Sequence, residues 1–182
     1  MSRVNELIKK YAKFVSTPWL KSIPGAQKVW FIVYDKTEER RLRMRIDEFD
    51  LATRQAGHGW KHIDIIDIFG EWMAQQEYKD SYFESPTDLE NLLPYFKQHV
   101  VDQIISVLKT DDVDTDTVVA ISGVAGLFGF LHVSDVVNDL LNDIRGRLLV
   151  FFPGEYEDQN YRLLDARDGW NYLAVPITAH DE

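Results

Sequence analysis

Hydrophobic residues in the amino-terminal part of the chain change from helical spacing to a short continuous run. The helical stripe ends just before Pro18 and consists of Val4, Leu7, Ile8, Tyr11, Phe14 and Val15. This spacing predicts a first helix, because residues three and four apart share one helical face. The continuous run, Val29–Tyr34, is rich in β-branched and aromatic residues and predicts a buried strand.

The middle of the chain continues this alternation. Residues Glu38 to Ala56 predict a helix with one apolar face, and His62–Ile66 predicts a second strand. We expect another helix after Asp67, because an aspartate side chain can accept hydrogen bonds from the first amides of a helix. Two further helix starts and an acidic loop follow at Ser85-Pro86, at Pro94 and at Asp111–Asp116.

The last third of the chain carries the clearest pattern. Two apolar runs, Val118–Ile121 and Leu148–Phe152, contain no charged residue, as is typical of strands covered on both faces. The crossover between them contains an amphipathic helix from about Asp135, with Ser134 as its cap and Gly146 at its end. This arrangement predicts a βαβ unit with parallel strands.

The carboxyl-terminal segment predicts an antiparallel hairpin after the loop Pro153–Asn160. Its expected strands are Tyr161–Asp165 and Trp170–Ile177, joined by a turn at Ala166–Gly169. Since no linker or internal repeat divides the sequence, we expect residues 1–182 to form a single α/β domain. The predicted sheet is mostly parallel, with about four to six strands, helices on both faces and the hairpin at an antiparallel edge.

Composition narrows the function classes. The 182 residues are 45% hydrophobic, which suits a packed core, and no cysteine is present to form a disulfide or a thiolate metal site. A net charge of −10 disfavours direct binding to nucleic acid. No apolar run reaches the length of a membrane span, and the amino terminus lacks the apolar core of a signal peptide. We therefore expect a soluble, cytoplasmic protein without a membrane partner.

Basic residues are concentrated between positions 36 and 54. They are interleaved with acids, which predicts a solvated helix face with ion pairs one turn apart. The alternative interpretation is a phosphate-binding patch. The six bases are Lys36, Arg40, Arg41, Arg43, Arg45 and Arg54.

Motifs for metal binding are each incomplete. Asp112, Asp114 and Asp116 have the spacing of the first ligands in a calcium loop, but Gly123 stands where a bidentate glutamate is required. His58 is flanked by glycine and His62 opens a strand, so the pair lacks the helical context that would place two imidazoles together. These residues predict a solvated loop and surface histidines.

Motifs for catalysis are incomplete in the same way. The glycines at 123, 126 and 129 do not have the spacing of a dinucleotide loop, and no Gly-Lys dipeptide is present for a Walker A loop. Ser106 and Lys109 match S-x-x-K without its partner motifs. Five acids that bracket the last hairpin could supply paired carboxylates for acid–base chemistry, but loop and turn acids of this kind are usually solvated. They are Glu155, Glu157, Asp158, Asp165 and Asp168. We therefore predict a non-enzymatic protein with no catalytic residue, no metal and no cofactor.

Three segments of the last third resemble one protein family. They are SGVAGLFGFLHVSDVVNDL, LLVFFPGEYE and YRLLDARDGWNYLAVPI, and they are similar to the carboxyl-terminal half of the BREX phage-defence family BrxB. The first helix and the strand Val29–Asp35 also resemble that family. The resemblance implies a bacterial antiviral defence component encoded beside an alkaline-phosphatase-like protein (PglZ), a DNA methyltransferase and a large ATPase. The family has no established catalytic motif, so the resemblance transfers no active-site residue.

The predicted function is that of a non-catalytic adaptor that binds a PglZ-type protein, with other BREX components as further candidate partners. The alternative is a degenerate nucleotide- or nucleic-acid-binding domain that uses strand-end loops or the arginines at positions 40–45. We place the protein-binding surface at the loops after the third and fourth strands, because parallel sheets present such loops at one edge. Burial of both phenylalanines in the core is the other interpretation of these residues. The predicted surface consists of Phe128, Phe130, His132, Glu155 and Tyr156.

Overall fold

A mostly parallel sheet runs through the computed structural model, which describes residues 2–164, 166–169 and 174–180. The parallel strands are β1 (Val29–Tyr34), β2 (Gly59–Asp64), β3 (Thr117–Ser122), β4 (Arg147–Glu157) and β7 (Val175–Ile177). They lie in the order β2-β3-β4-β1-β7. An antiparallel hairpin, β5 (Asn160–Leu163) and β6 (Ala166–Gly169), extends from the far end of β4. The predicted α/β class is confirmed, with seven strands in the described part of the chain.

Helices cover both faces of the sheet. Those in the described residues are α1 (Arg3–Val15), α2 (Glu39–Arg43), α3 (Ile46–Gln55), α4 (Ile68–Ala74), α5 (Lys79–Glu84), α6 (Pro86–Glu90), α7 (Leu93–Leu108) and α8 (Val133–Leu140). Short 3-10 helices lie at Gly25–Lys28, Lys36–Glu38 and Val124–Leu127. None of the described helices combines the length and the apolar character needed to cross a lipid bilayer.

Two hydrophobic cores form because side chains alternate across each strand. In β1, Trp30 and Ile32 enter the core under α1, α2 and α3, while Phe31 enters the core under α4, α7 and α8. Every residue of β1 and β3 is buried. This explains why both strands are charge-free runs in the sequence.

The predicted helix from Glu38 to Ala56 is interrupted. A 3-10 helix leads into α2, and α3 begins only at Ile46. Arg45 lies between the two helices with non-helical dihedral angles (φ −120°, ψ 13°). Its guanidinium donates to Asn5 of α1 and to Glu48, so a contact with another helix accompanies the break.

Two predicted boundaries near the middle of the chain also shift. The second strand begins at Gly59 and not at His62, because its backbone pairs in register with Thr117 to Ser122 of β3. Helix α8 begins at Val133 and ends at Leu140, so Ser134 lies inside the helix and is buried, and Gly146 lies beyond its end. The expected restart at Pro94 is confirmed, since proline occupies the first turn of α7.

The carboxyl-terminal hairpin differs from the predicted one. Residues 166–169 form strand β6 and not a turn, and the chain reverses earlier, at Leu164, which has a positive φ of 54°. Val175–Ile177 pairs parallel to β1, where it satisfies backbone groups that the edge of β1 would otherwise expose. Asp165 and residues 170–173 lie outside the described residues.

Candidate functional site

The carboxyl ends of β1 and β2 carry a connected polar cluster. The Tyr34 hydroxyl donates to Glu39, whose carboxylate lies 3.7 Å from the Arg43 guanidinium. Arg43 also donates from both terminal nitrogens to the two carboxylate oxygens of Asp64. Burial, with the Glu39 charge as a second cause, raises the pKa of the Tyr34 hydroxyl, which therefore stays protonated as a donor. The local sequence gives no signal for this cluster, because its members come from separate elements.

A serine–histidine pair lies beside this cluster. The His62 Nε2 in β2 and the Oγ of Ser122, the last residue of the neighbouring strand β3, are 2.8 Å apart. His62 is exposed as a residue, and partial desolvation of its ring lowers its pKa, which favours the neutral imidazole that a general base requires. Ser122, however, is only 1% exposed, so its hydroxyl is closed to a substrate in this conformation. The geometry therefore fits a structural hydrogen bond better than a nucleophile.

The loop after β3 is packed directly against the backbone of residues 65 and 66. Gly123 adopts a left-handed conformation with φ 81°. Gly126 has no room for a side chain, because a Cβ there would overlap the carbonyl oxygen of Ile66. Leu127 is 1% exposed and anchors the loop in the core. The tight contact fixes the shape of this loop.

The two phenylalanines of the loop have different environments. Phe130 is partly buried and stacks on Phe69 with ring centroids 3.9 Å apart, and its edge faces Phe96. Phe128 is 42% exposed. His132, just before α8, is also exposed. The loop thus presents one phenylalanine to solvent and inserts the other between α4 and α7.

Glu155 and Tyr156 lie on β4 beyond its parallel part. Glu155 is exposed and sits opposite Arg162 in the β4–β5 register. Tyr156 is partly buried, with its ring centroid 4.7 Å from that of Tyr161. It also lines a shallow depression with Phe14 of α1. The structure therefore brings Phe128, Phe130 and His132 together in one loop. Glu155 and Tyr156 form a second group, in the part of β4 that pairs with β5.

Two aspartates of the incomplete calcium motif have partners within the chain. Asp112 pairs with Lys61 at 2.7 Å, and Asp114 accepts hydrogen bonds from the Asp116 amide and the Thr117 hydroxyl at the start of β3. These bonds lower the pKa values of both Asp112 and Asp114. The described residues contain no group of three or more His, Cys, Asp or Glu side chains arranged to hold a metal ion.

The arginines between positions 40 and 54 mostly pair with carboxylates. Arg41 pairs with Glu38, and Arg43 pairs with Glu39 and Asp64. The two remaining pairs are Arg45–Glu48 and Arg54–Asp50. The prediction of a mixed-charge helix face is confirmed for these four arginines, and their engaged charges do not favour a phosphate-binding patch.

The sequence matches the family model described as BREX protein BrxB over residues 61–177. The match covers more than half of the chain and extends from the third residue of β2 to the end of β7, with both candidate loops. The chain belongs to the BrxB family. Membership of this family makes it a component of a BREX defence system, and the family description names no reaction. No curated protein and no solved structure matches the chain.

Proposed function

We propose that this BrxB-family chain is a non-catalytic adaptor that binds a PglZ-type protein through the loop after β3. The observation that carries the proposal is the 42% exposure of Phe128 on a loop whose neighbouring residues are anchored. Binding to a preformed loop avoids most of the entropy cost of ordering it. Aromatic side chains are also enriched among the residues that dominate interface energetics.

The other predicted residues would extend this contact. Phe130 would hold the loop in place through its stack on Phe69, and His132 would border Phe128 as an exposed polar residue. Glu155 and Tyr156 would form a second contact region at the end of β4. Family membership supports the BREX context, whereas the choice of a PglZ-type partner rests on the neighbouring genes that the resemblance implies.

Co-purification tests the proposed partner. The tagged chain would be co-expressed with the PglZ-type protein encoded beside it and purified at low salt. We expect the PglZ-type protein to elute with the tagged chain in a constant ratio. Failure to retain any protein of the same operon would contradict the adaptor function.

Two substitutions test the proposed surface. Phe128→Ala should leave the melting temperature nearly unchanged and abolish co-purification. Tyr156→Ala should also abolish co-purification, with a small decrease in melting temperature because its ring packs on Tyr161. Leu51→Ala is a suitable control, because Leu51 is 56% exposed but lies on α3, which covers the other face of the sheet. Unfolding of both variants, or full retention of the partner by both folded variants, would show that the surface is wrongly placed.

A further inference from the structure

A buried arginine without an acidic partner lies at the amino end of the sheet. Arg147 is the first residue of β4 and is 5% exposed. It donates to the carbonyl oxygens of Gly146 at 2.9 Å and of Leu20 at 3.0 Å. Within the described residues, no carboxylate pairs with it. Burial lowers its pKa, but a guanidinium keeps its proton in proteins, so a positive charge remains in this position.

This charge is only partly compensated. A guanidinium has five N–H donors, and the two carbonyl groups use two of them. Buried charges in proteins are normally paired, because leaving water without a counter-charge is costly. The environment of Arg147 therefore favours an anion that can accept hydrogen bonds from the remaining N–H groups.

Aromatic rings surround the guanidinium. Its central carbon lies 4.8 Å from the ring centroid of Trp19 and 5.8 Å from that of Trp30. Trp19 also stacks on His58, at 3.6 Å between centroids, and the buried Nδ1 of that histidine has no hydrogen-bond partner. Cation–π contacts attract the guanidinium to the two indoles without neutralising its charge.

A surface cleft opens beside this arginine. Its volume is about 260 Å³, which is close to the lower limit for small-molecule pockets. The walls are mostly apolar and include Phe14, Trp19, Ile23, Trp30 and Val175, with Arg147 as the charged residue. A ligand that fits this cleft is therefore small, mainly apolar and singly charged.

We propose that this cleft binds a carboxylate carried by a small apolar body, with Arg147 as the counter-charge and the indoles of Trp19 and Trp30 as walls. A carboxylate carries one negative charge and can accept two parallel N–H bonds from an arginine. A phosphate dianion would leave one charge uncompensated between apolar walls. The carboxylate could belong to a free acid or to the last residue of a polypeptide, and this site is independent of the proposed adaptor loop.

Titration monitored by nuclear magnetic resonance tests the proposal with the full chain. Phenylacetate is the probe for a free acid, and an acetylated tetrapeptide ending in Phe with a free carboxyl group is the probe for a chain terminus. The neutral controls are phenylacetamide and the same tetrapeptide with an amidated end. We expect saturable shifts of the Trp19 and Trp30 indole N–H signals with at least one acid, and at least tenfold weaker binding of its amide.

Two variants complete the test. Arg147→Met should weaken binding of the acid at least tenfold, and Arg147→Lys should weaken it less, because it retains the charge but loses the planar fork. Tighter binding of the free acid or of the peptide identifies the source, and either result supports the site. Equal binding of acid and amide, undiminished binding by a folded Arg147→Met variant, or no shift with either acid would overturn the proposal.

Discussion

At the carboxyl end of the parallel sheet, Arg43 donates to Asp64 and lies near Glu39, whereas at the amino end Arg147 is buried against two indoles with carbonyl oxygens as its acceptors. The first arginine is satisfied by charges from its own chain. The second keeps a positive charge that no acid of the described residues balances. The two ends therefore offer different features for binding. The carboxyl end presents the exposed ring of Phe128, and the amino end contains the buried cation of Arg147.

The two ends also differ in how their loops are held. At the carboxyl end, glycine allows the loop after β3 to touch the backbone of residue 66, and Phe128 of the same loop is exposed. At the amino end, side chains provide the packing, because the ring of Trp30 contacts those of Tyr11, Phe14 and Trp19. Substitutions at the two ends should therefore act through different mechanisms.

Trp30→Ala should have the largest effect. Trp30 is 4% exposed, and truncating a buried tryptophan typically lowers the free energy of unfolding by about 3–5 kcal/mol through lost contacts and a cavity. Urea unfolding measures this loss. Trp60→Ala, at a partly buried tryptophan of β2, is the control and should cost less. Equal losses for both variants would contradict the importance of packing at the amino end.

Gly123→Ala should have the next largest effect. A left-handed alanine costs about 1–3 kcal/mol, and overlap of its Cβ with Asp64 and Ile66 should add about 1–3 kcal/mol. Gly57→Ala is a matched control, because Gly57 has a similar φ of 86° but open space around it. Urea unfolding of both variants separates strain from close packing. Equal losses would show that the loop after β3 is not held by close contact.

Arg147→Met should change the free energy of unfolding by less than about 1 kcal/mol, or raise it, in the absence of ligand. Removing the buried charge relieves its desolvation, and this gain offsets the loss of two hydrogen bonds to carbonyl oxygens and of the cation–π contacts with two indoles. Urea unfolding again provides the measurement. A loss of about 3 kcal/mol or more, as after breaking a buried ion pair, would mean that the arginine is needed for folding.

His62→Gln should have the smallest effect, confined to the pH dependence of stability. The folded-state pKa of His62 lies below the ordinary value of 6.5, so the unfolded chain binds more protons in that range. The contribution of His62 to stability is therefore fully present above pH 6.5 and is lost as the pH falls through its folded-state pKa. The variant should lack this part of the decrease in unfolding experiments between neutral and mildly acidic pH. Identical pH profiles would contradict the pKa shift.

Local sequence pattern predicted the central strands and most helices, because β1 and β3 are continuous apolar runs and the helices carry apolar stripes. The break between α2 and α3 could not be predicted in this way. Arg45 and its partner Asn5 are 40 residues apart in the chain, and nothing in the residues around position 45 indicates their contact. The sequence pattern does not predict the reversal at Leu164 either, since a leucine with positive φ has no turn signature.

The candidate sites were predictable only in part. Phe128 and Phe130 both alternate with glycine in the sequence, and only the stack on Phe69 distinguishes the anchored ring from the exposed one. Arg147 stands at the edge of an apolar run and gave no signal, because the tryptophans that surround it come from distant segments. Contacts between residues that are distant in the sequence therefore determine the binding features at both ends of the sheet.

The affinity of the folded Phe128→Ala variant for the PglZ-type protein tests the proposed adaptor surface most directly. Calorimetric titration should be carried out with the wild-type chain, with Phe128→Ala and with Leu51→Ala as the control. We expect Phe128→Ala to raise Kd by about 30-fold or more, which corresponds to about 2 kcal/mol at an interface hot spot, while Leu51→Ala leaves Kd unchanged. An unchanged Kd for the folded Phe128→Ala variant would contradict the account.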